Sequence, residues 1–120
     1  MKKLIDANVI LRYLLGDHPQ LSQDARKAVE AGAYTLAEIM AEVVYVLNGV
    51  YKVERKEIAN TLIDFMDEVA IENQEIMVEA LTEYAATSLD FVDCILIAHH
   101  RVAGAEVISF DKKLNKKLDG

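Results

Sequence analysis

Short apolar runs alternate along this chain with longer stretches in which apolar residues recur every three or four positions. The first run, Leu4-Ile5, stops at Asp6, and helical spacing then continues through Val9, Ile10, Leu11, Tyr13, Leu14 and Leu15. Such a run, ended by an acid and passing into helical spacing, predicts a buried strand feeding a helix. Gly16 suits the end of that helix. His18-Pro19 opens a second one through Ala31, with Leu21, Ala25 and Val29 as its inner stripe and Gly32 past its end. Ala33 to Leu36 reads as a second strand. Thr35-Leu36-Ala37-Glu38 has the form of a capping box, in which Thr caps and Glu reaches back, and a third helix then runs to Asn48-Gly49.

Ile58, Leu62, Phe65 and Val69 mark a fourth helix over Glu54 to Glu68, and Val69 to Glu72 is a third strand candidate. Ile76, Ala80 and Tyr84 face inward on a fifth helix, Glu75 to Thr87. The helix from Ser88-Leu89-Asp90 to about Val102 is apolar nearly all round, which predicts burial of most of its circumference. Gly104 ends it, Glu106 to Ser109 makes a fourth strand, and Asp111 precedes a last basic turn. Strands alternating with helices predict a single α/β domain over residues 1–120. Its expected architecture is three-layer α/β/α, a central parallel sheet of about four strands flanked by helices.

A chain of 120 residues is long enough for a core without staples. The one cysteine, Cys94, excludes an internal disulfide and suits a reducing compartment. The N-terminus enters a strand within three residues, and no apolar run reaches the ~18 residues of a membrane span. A cytoplasmic location is therefore expected.

Charge narrows the choice of partner. Net charge is −7, from 13 basic and 20 acidic residues, and Glu57 to Asp93 carries ten acids with no Lys or Arg. Phosphate contacts need Lys and Arg, so nucleic-acid binding here has to rest on a metal or on a small basic patch. The acidic stretch itself reads as solvated helix surface or as a docking face for a basic partner.

The candidate chemistry lies in acids. Asp93 sits inside Phe91-Val-Asp-Cys-Ile-Leu-Ile-Ala98 with no Lys or Arg within seven residues on either side. Burying a lone carboxylate costs several kcal/mol unless something pairs with it. Asp90 is explained as the N-cap of the same helix. Glu42 interrupts an otherwise apolar helix, whereas Glu38, one turn earlier, is accounted for by the capping box. Asp6 and Asp111 share one grammar, a short strand, an acid and then a helix, and each either caps its helix or lines the crevice at the strand ends. If these four converge, their repulsion favours protonation unless a cation holds them ionised. Oxygen-only ligands suit Mg²⁺ or Mn²⁺, and such a site serves phosphate chemistry. The chain shows no Cys/His cage, no Ser or Cys nucleophile arrangement and no glycine-rich phosphate loop.

Three segments, LIDANVILRYLLGD, LAEIMAEVVYVLNGVYKV and LDFVDCILIAHHRVAGAEVISFDKKL, together resemble the PIN domain, specifically the VapC-type toxins of toxin–antitoxin pairs. The resemblance implies a PIN-like fold and a metal-dependent ribonuclease in which Asp6, Glu42, Asp93 and Asp111 hold Mg²⁺ or Mn²⁺ and RNA is cut to leave a 5′-phosphate. By the same resemblance Asn8 helps to order the site and Asp90 lies near it. Asp6 and Asp93 become the direct ligands, while Asp111 and Glu42 bind a second ion or hold metal-bound water. Ala7 departs from the family's usual hydroxyl residue, at the cost of a hydrogen bond but of no ligand. A cognate antitoxin and a homodimer are the implied partners. The alternative is a catalytically silent PIN-like module that binds RNA or protein.

Arg12, Lys112, Lys113, Lys116 and Lys117 are candidate phosphate contacts or solvated surface. His100 shares a helical face with Asp93, yet both His99 and His100 read better as helix-end residues, and Cys94 as core. Tyr45 and Tyr51 are core or dimer contacts. A response-regulator receiver would need paired acids after its first strand, where Ala7-Asn8 stands here. A haloacid-dehalogenase-like phosphatase would need an acid at Asn8 and a longer chain.

Overall fold

The N-terminal run forms a strand and then a helix as its pattern predicts, but the strand is not buried. Leu4 is 48% exposed, and burial begins at Ile5, one residue past the strand. In the computed structural model, which describes residues 1–119, strand β1 (Lys3–Leu4) passes within two residues into helix α1 (Ala7–Leu15). Asp6 is the N-cap, and its Oδ1 accepts from the Val9 N–H at 3.0 Å. Gly16 ends the helix at φ +62°, a left-handed conformation that glycine adopts without a Cβ clash. Helix α2 (Pro19–Glu30) follows, capped by His18, whose Nδ1 accepts from the Leu21 N–H at 3.1 Å. Ala25 and Val29 are buried on its inner face, but Leu21 is 43% exposed and does not belong to that stripe.

Strand β2 (Ala33–Thr35), helices α3 (Ala37–Gly49) and α4 (Arg55–Phe65), and strand β3 (Ala70–Ile71) come next. The three strands form one parallel sheet in the order β1-β2-β3, with Leu4 opposite Tyr34 and Thr35 opposite Ile71. Parallel neighbours require crossovers, supplied by α1–α2 and by α3–α4. Helices α5 (Gln74–Ala86), α6 (Phe91–Ala103) and α7 (Lys112–Asp119) complete the chain. The result is a parallel sheet flanked by helices. Helix α5 packs between α4 and α6, α1 packs on α2 and α3, and α7 lies against α6. Ile10, Met40, Val43, Ile58, Leu62, Leu81 and Ile97 are among the wholly buried side chains that join these layers.

Three further expectations are corrected. Thr35 caps nothing: its hydroxyl donates to the Ile5 carbonyl at 3.1 Å, and Leu36 occupies the N-cap position of α3 with no side-chain bond. The buried Thr35 hydroxyl takes the acceptor on the adjacent strand, which the capping pattern could not reveal. Among the described residues there are three strands, and 106–109 joins no ladder. The polar groups around that stretch bond locally: Asp111 N–H donates to Ser109 Oγ, Asn115 Nδ2 to Ser109 O, and His100 Nδ1 to Ala105 O. Ile108 and Phe110, 89% and 100% exposed, face outward. Finally, α6 is not buried all round, because Val92 and Val102 are exposed while Phe91, Cys94, Ile97 and Ala98 form the inner stripe. No helix among the described residues is long and apolar enough to cross a membrane.

Candidate functional site

Two of the candidate acids serve their helices with one oxygen each. Asp6 caps α1, and Asp111 Oδ1 accepts from the Leu114 N–H at 2.9 Å to cap α7. A carboxylate has a second oxygen, so capping leaves each free to meet a cation. The cap and crevice roles of these residues are therefore compatible. Both side chains are exposed, as is that of Glu42 on α3. With Thr35 bonded elsewhere, Glu38 has lost the capping partner that set it apart from Glu42, and the two exposed glutamates stand one turn apart on the same helix.

Asp93 differs. It lies in the first turn of α6, half-buried. Burial pushes its carboxyl above the ordinary carboxylate range, and the negative charges of Asp111 and Asp90 push it the same way. The tertiary fold thus brings Asp93, Asp111 and Asp90 into one electrostatic neighbourhood, although Asp111 is eighteen residues away in sequence. Asp90 occupies the N-cap position of α6 but makes no side-chain cap bond, so the bland account of that acid does not hold.

Asp90 and Asp93 also line a cleft of about 560 Å³, together with Ala41, Tyr45 and Asn48 of α3, Arg55 and Tyr84. Arg55 carried no functional signal in the sequence. Its Nε donates to the Tyr84 carbonyl at 2.8 Å, its Nη2 donates to the Leu89 carbonyl, and its guanidinium stacks 3.6 Å from the Tyr84 ring centre. One planar cation thereby holds the α5–α6 connection that delivers Asp90 and Asp93. The available hint was position: Arg55 and Lys56 are the last bases before the base-free acidic stretch. Arg55→Lys keeps the charge but loses the fork and the stack. It is expected to cost about 1–2 kcal/mol in urea-melt stability.

Asn8 is exposed in the first turn of α1. Arg12 pairs with Asp17 at 2.7 Å and donates to the Tyr51 hydroxyl at 3.1 Å, so its charge is shared within the protein. His100 secures the C-terminal end of α6 through Ala105. Cys94 is fully buried, and burial pushes its thiol up to about 11, which suits a core residue and not a nucleophile. Tyr45 and Tyr51 are exposed.

The family model for the PIN domain matches residues 3–118. The chain belongs to the PIN domain family. Neither the curated proteins nor the solved structures give a match. PIN domains are generally nucleases, they usually use divalent metals, and many are toxins paired with antitoxins. The donor chemistry of this PIN domain suits such an ion, since its clustered groups are all carboxylates and their mutual repulsion is relieved by a cation. Among the described residues no three His, Cys, Asp or Glu side chains close into a cage. Mg²⁺ fits a sparser arrangement, because it is commonly held by one or two carboxylates with waters and substrate phosphates completing its shell.

Proposed function

We propose that this PIN domain is an endoribonuclease that hydrolyses RNA phosphodiester bonds with Mg²⁺ or Mn²⁺, acting as the toxin of a VapBC-type pair. The observation that carries this reading is Asp93, a half-buried carboxylate whose charge is opposed by two further acids and which has no Lys or Arg within seven residues along the chain. Asp93 and Asp111 would hold the ion, and Asp6 and Glu42 supply further oxygens from the β1–α1 junction and from α3. A divalent ion there neutralises charge developing on the phosphoryl oxygens and eases deprotonation of a water.

The chain's own residues set the stage for that chemistry. Thr35 fixes the carbonyl preceding Asp6, Arg55 fixes the connection preceding Asp90, and Asn8 stands in the turn beside Asp6. A cognate antitoxin, a homodimer and a cytoplasmic location belong to the same proposal. The second reading, a catalytically silent module, draws on the spacing of the acids, which make no three-residue cage.

Cleavage separates the two. Purified protein incubated with total RNA and Mn²⁺ is expected to produce fragments bearing 5′-phosphates, and EDTA is expected to stop it. Binding of RNA without fragmentation would establish the silent module instead.

A further inference from the structure

A cleft of about 570 Å³ opens where α7 faces the α5–α6 connection and the end of α6. Its polar lining is Thr87, Ser88, Arg101, Lys113, Lys116 and Lys117, with no acid among them, in a chain of net charge −7. The other large clefts differ in sign: Glu75 and Glu79 line one, and Asp90 and Asp93 outnumber Arg55 in the other. We propose that this basic cleft binds the phosphate backbone of single-stranded RNA. The inference rests on the RNA reading above.

The lysines are spaced for the task. Positions 113, 116 and 117 fall on one face of α7, because residues three and four apart are neighbours on a helix. Leu114 and Leu118 turn the other way, the first fully buried and the second packed against the core. Among the described residues the ion pairs are Arg12–Asp17, Arg101–Glu79 and Arg101–Glu83, so none uses a lysine. Like charges at this spacing repel, and a polyanion laid along the face relieves that repulsion. Arg101 contributes less, since Glu79 and the buried Glu83 share its charge. Across the cleft, Ser88 presents an exposed hydroxyl as a neutral donor.

Location ties the cleft to the acids. Helix α7 begins at the residue after Asp111, whose charge acts on Asp93. At 1.5 Å per residue, Lys117 stands about 9 Å along the axis from Asp111. That distance spans two to three stacked nucleotides at about 3.4 Å each. A strand held here would feed its neighbouring phosphate toward Asp111 and Asp93, although the protein as a whole repels RNA.

The test is anisotropy of a labelled single-stranded RNA oligonucleotide titrated with protein in EDTA over a range of KCl concentrations, so that cleavage plays no part. The K113Q/K116Q/K117Q variant is expected to bind at least about tenfold more weakly at low salt. Its slope of log affinity against log salt should fall by about 2, at roughly 0.7 for each phosphate that is no longer neutralised. A control triple outside the cleft, K27Q/K52Q/K56Q, should leave that slope unchanged. Gln is a good helix former, and K116Q alone, expected to lower the slope by about 0.7, serves if the triple variant unfolds. An unchanged slope, or equal losses in both triples, overturns the proposal. Displacement of the RNA by a polyglutamate peptide of equal charge overturns it in favour of an acidic protein partner. Loss of cleavage in Mn²⁺ with this binding intact would refute the nuclease reading alone.

Discussion

Asp93→Asn is expected to lower Mn²⁺-dependent RNA cleavage by at least about 100-fold while leaving the fold intact. Loss of a residue that merely orients a metal ligand costs about 10- to 100-fold, so loss of a direct ligand should cost no less. The substitution is nearly isosteric, and the amide retains an oxygen but not the charge that holds a cation. In the metal-free protein the anion is already disfavoured by burial and by Asp111 and Asp90. Neutralising it should therefore hold the melting temperature or raise it slightly. Mn²⁺ that stabilises the parent protein should give a smaller shift in the variant. Undiminished cleavage by Asp93→Asn would remove this carboxylate from the site, and a large fall in melting temperature would mark it as structural.

Leu81→Ala is expected to destabilise the protein by about 2–5 kcal/mol. Leu81 is 0% exposed on α5, the helix packed between α4 and α6, so truncation leaves a void that three helices must collapse around. Against a total stability of about 5–15 kcal/mol this is a large share, and the melting temperature should fall by roughly 10 °C or more. Urea unfolding followed by circular dichroism measures it. A cost under about 1 kcal/mol would mean that α5 does not hold the layers together as described. At low temperature the folded fraction should keep its RNA affinity, since Leu81 lies outside the basic cleft.

The contrast between these two residues shows what was legible. Leu81, Ile58 and Ile97 announce burial by helical spacing, because a helix that packs must repeat its apolar face every three to four residues. Asp6 and Asp111 announce helix starts in the same local way. Asp93 stood out because a carboxylate amid apolar residues with no base nearby is costly, and in the fold burial and two neighbouring acids do work against its charge. Family membership was likewise readable from three separated segments.

What failed was whatever needed a distant partner. Thr35 fitted a capping box, yet its hydroxyl reaches across to Ile5, thirty residues earlier. The stretch 106–109 had a strand's composition, but strand formation requires an edge to pair with, and its polar neighbours bond within the turn into α7. Arg12 gave no sign in the sequence of its bond to the Tyr51 hydroxyl, from beyond α3. Arg55 showed no chemistry in sequence because its partners are backbone carbonyls near residues 84 and 89, which any residue type would present.

By itself, then, the sequence determined most of the order of elements and the inner face of most helices, since each follows from periodicity and residue chemistry within a few turns, and the resemblance of three segments carried the family. Only the tertiary structure decided which acids share a field, which cations are already spent, and where unspent lysines meet an acid-free wall. Those properties depend on separations between elements far apart in sequence, and charge acts through space whatever the order along the chain.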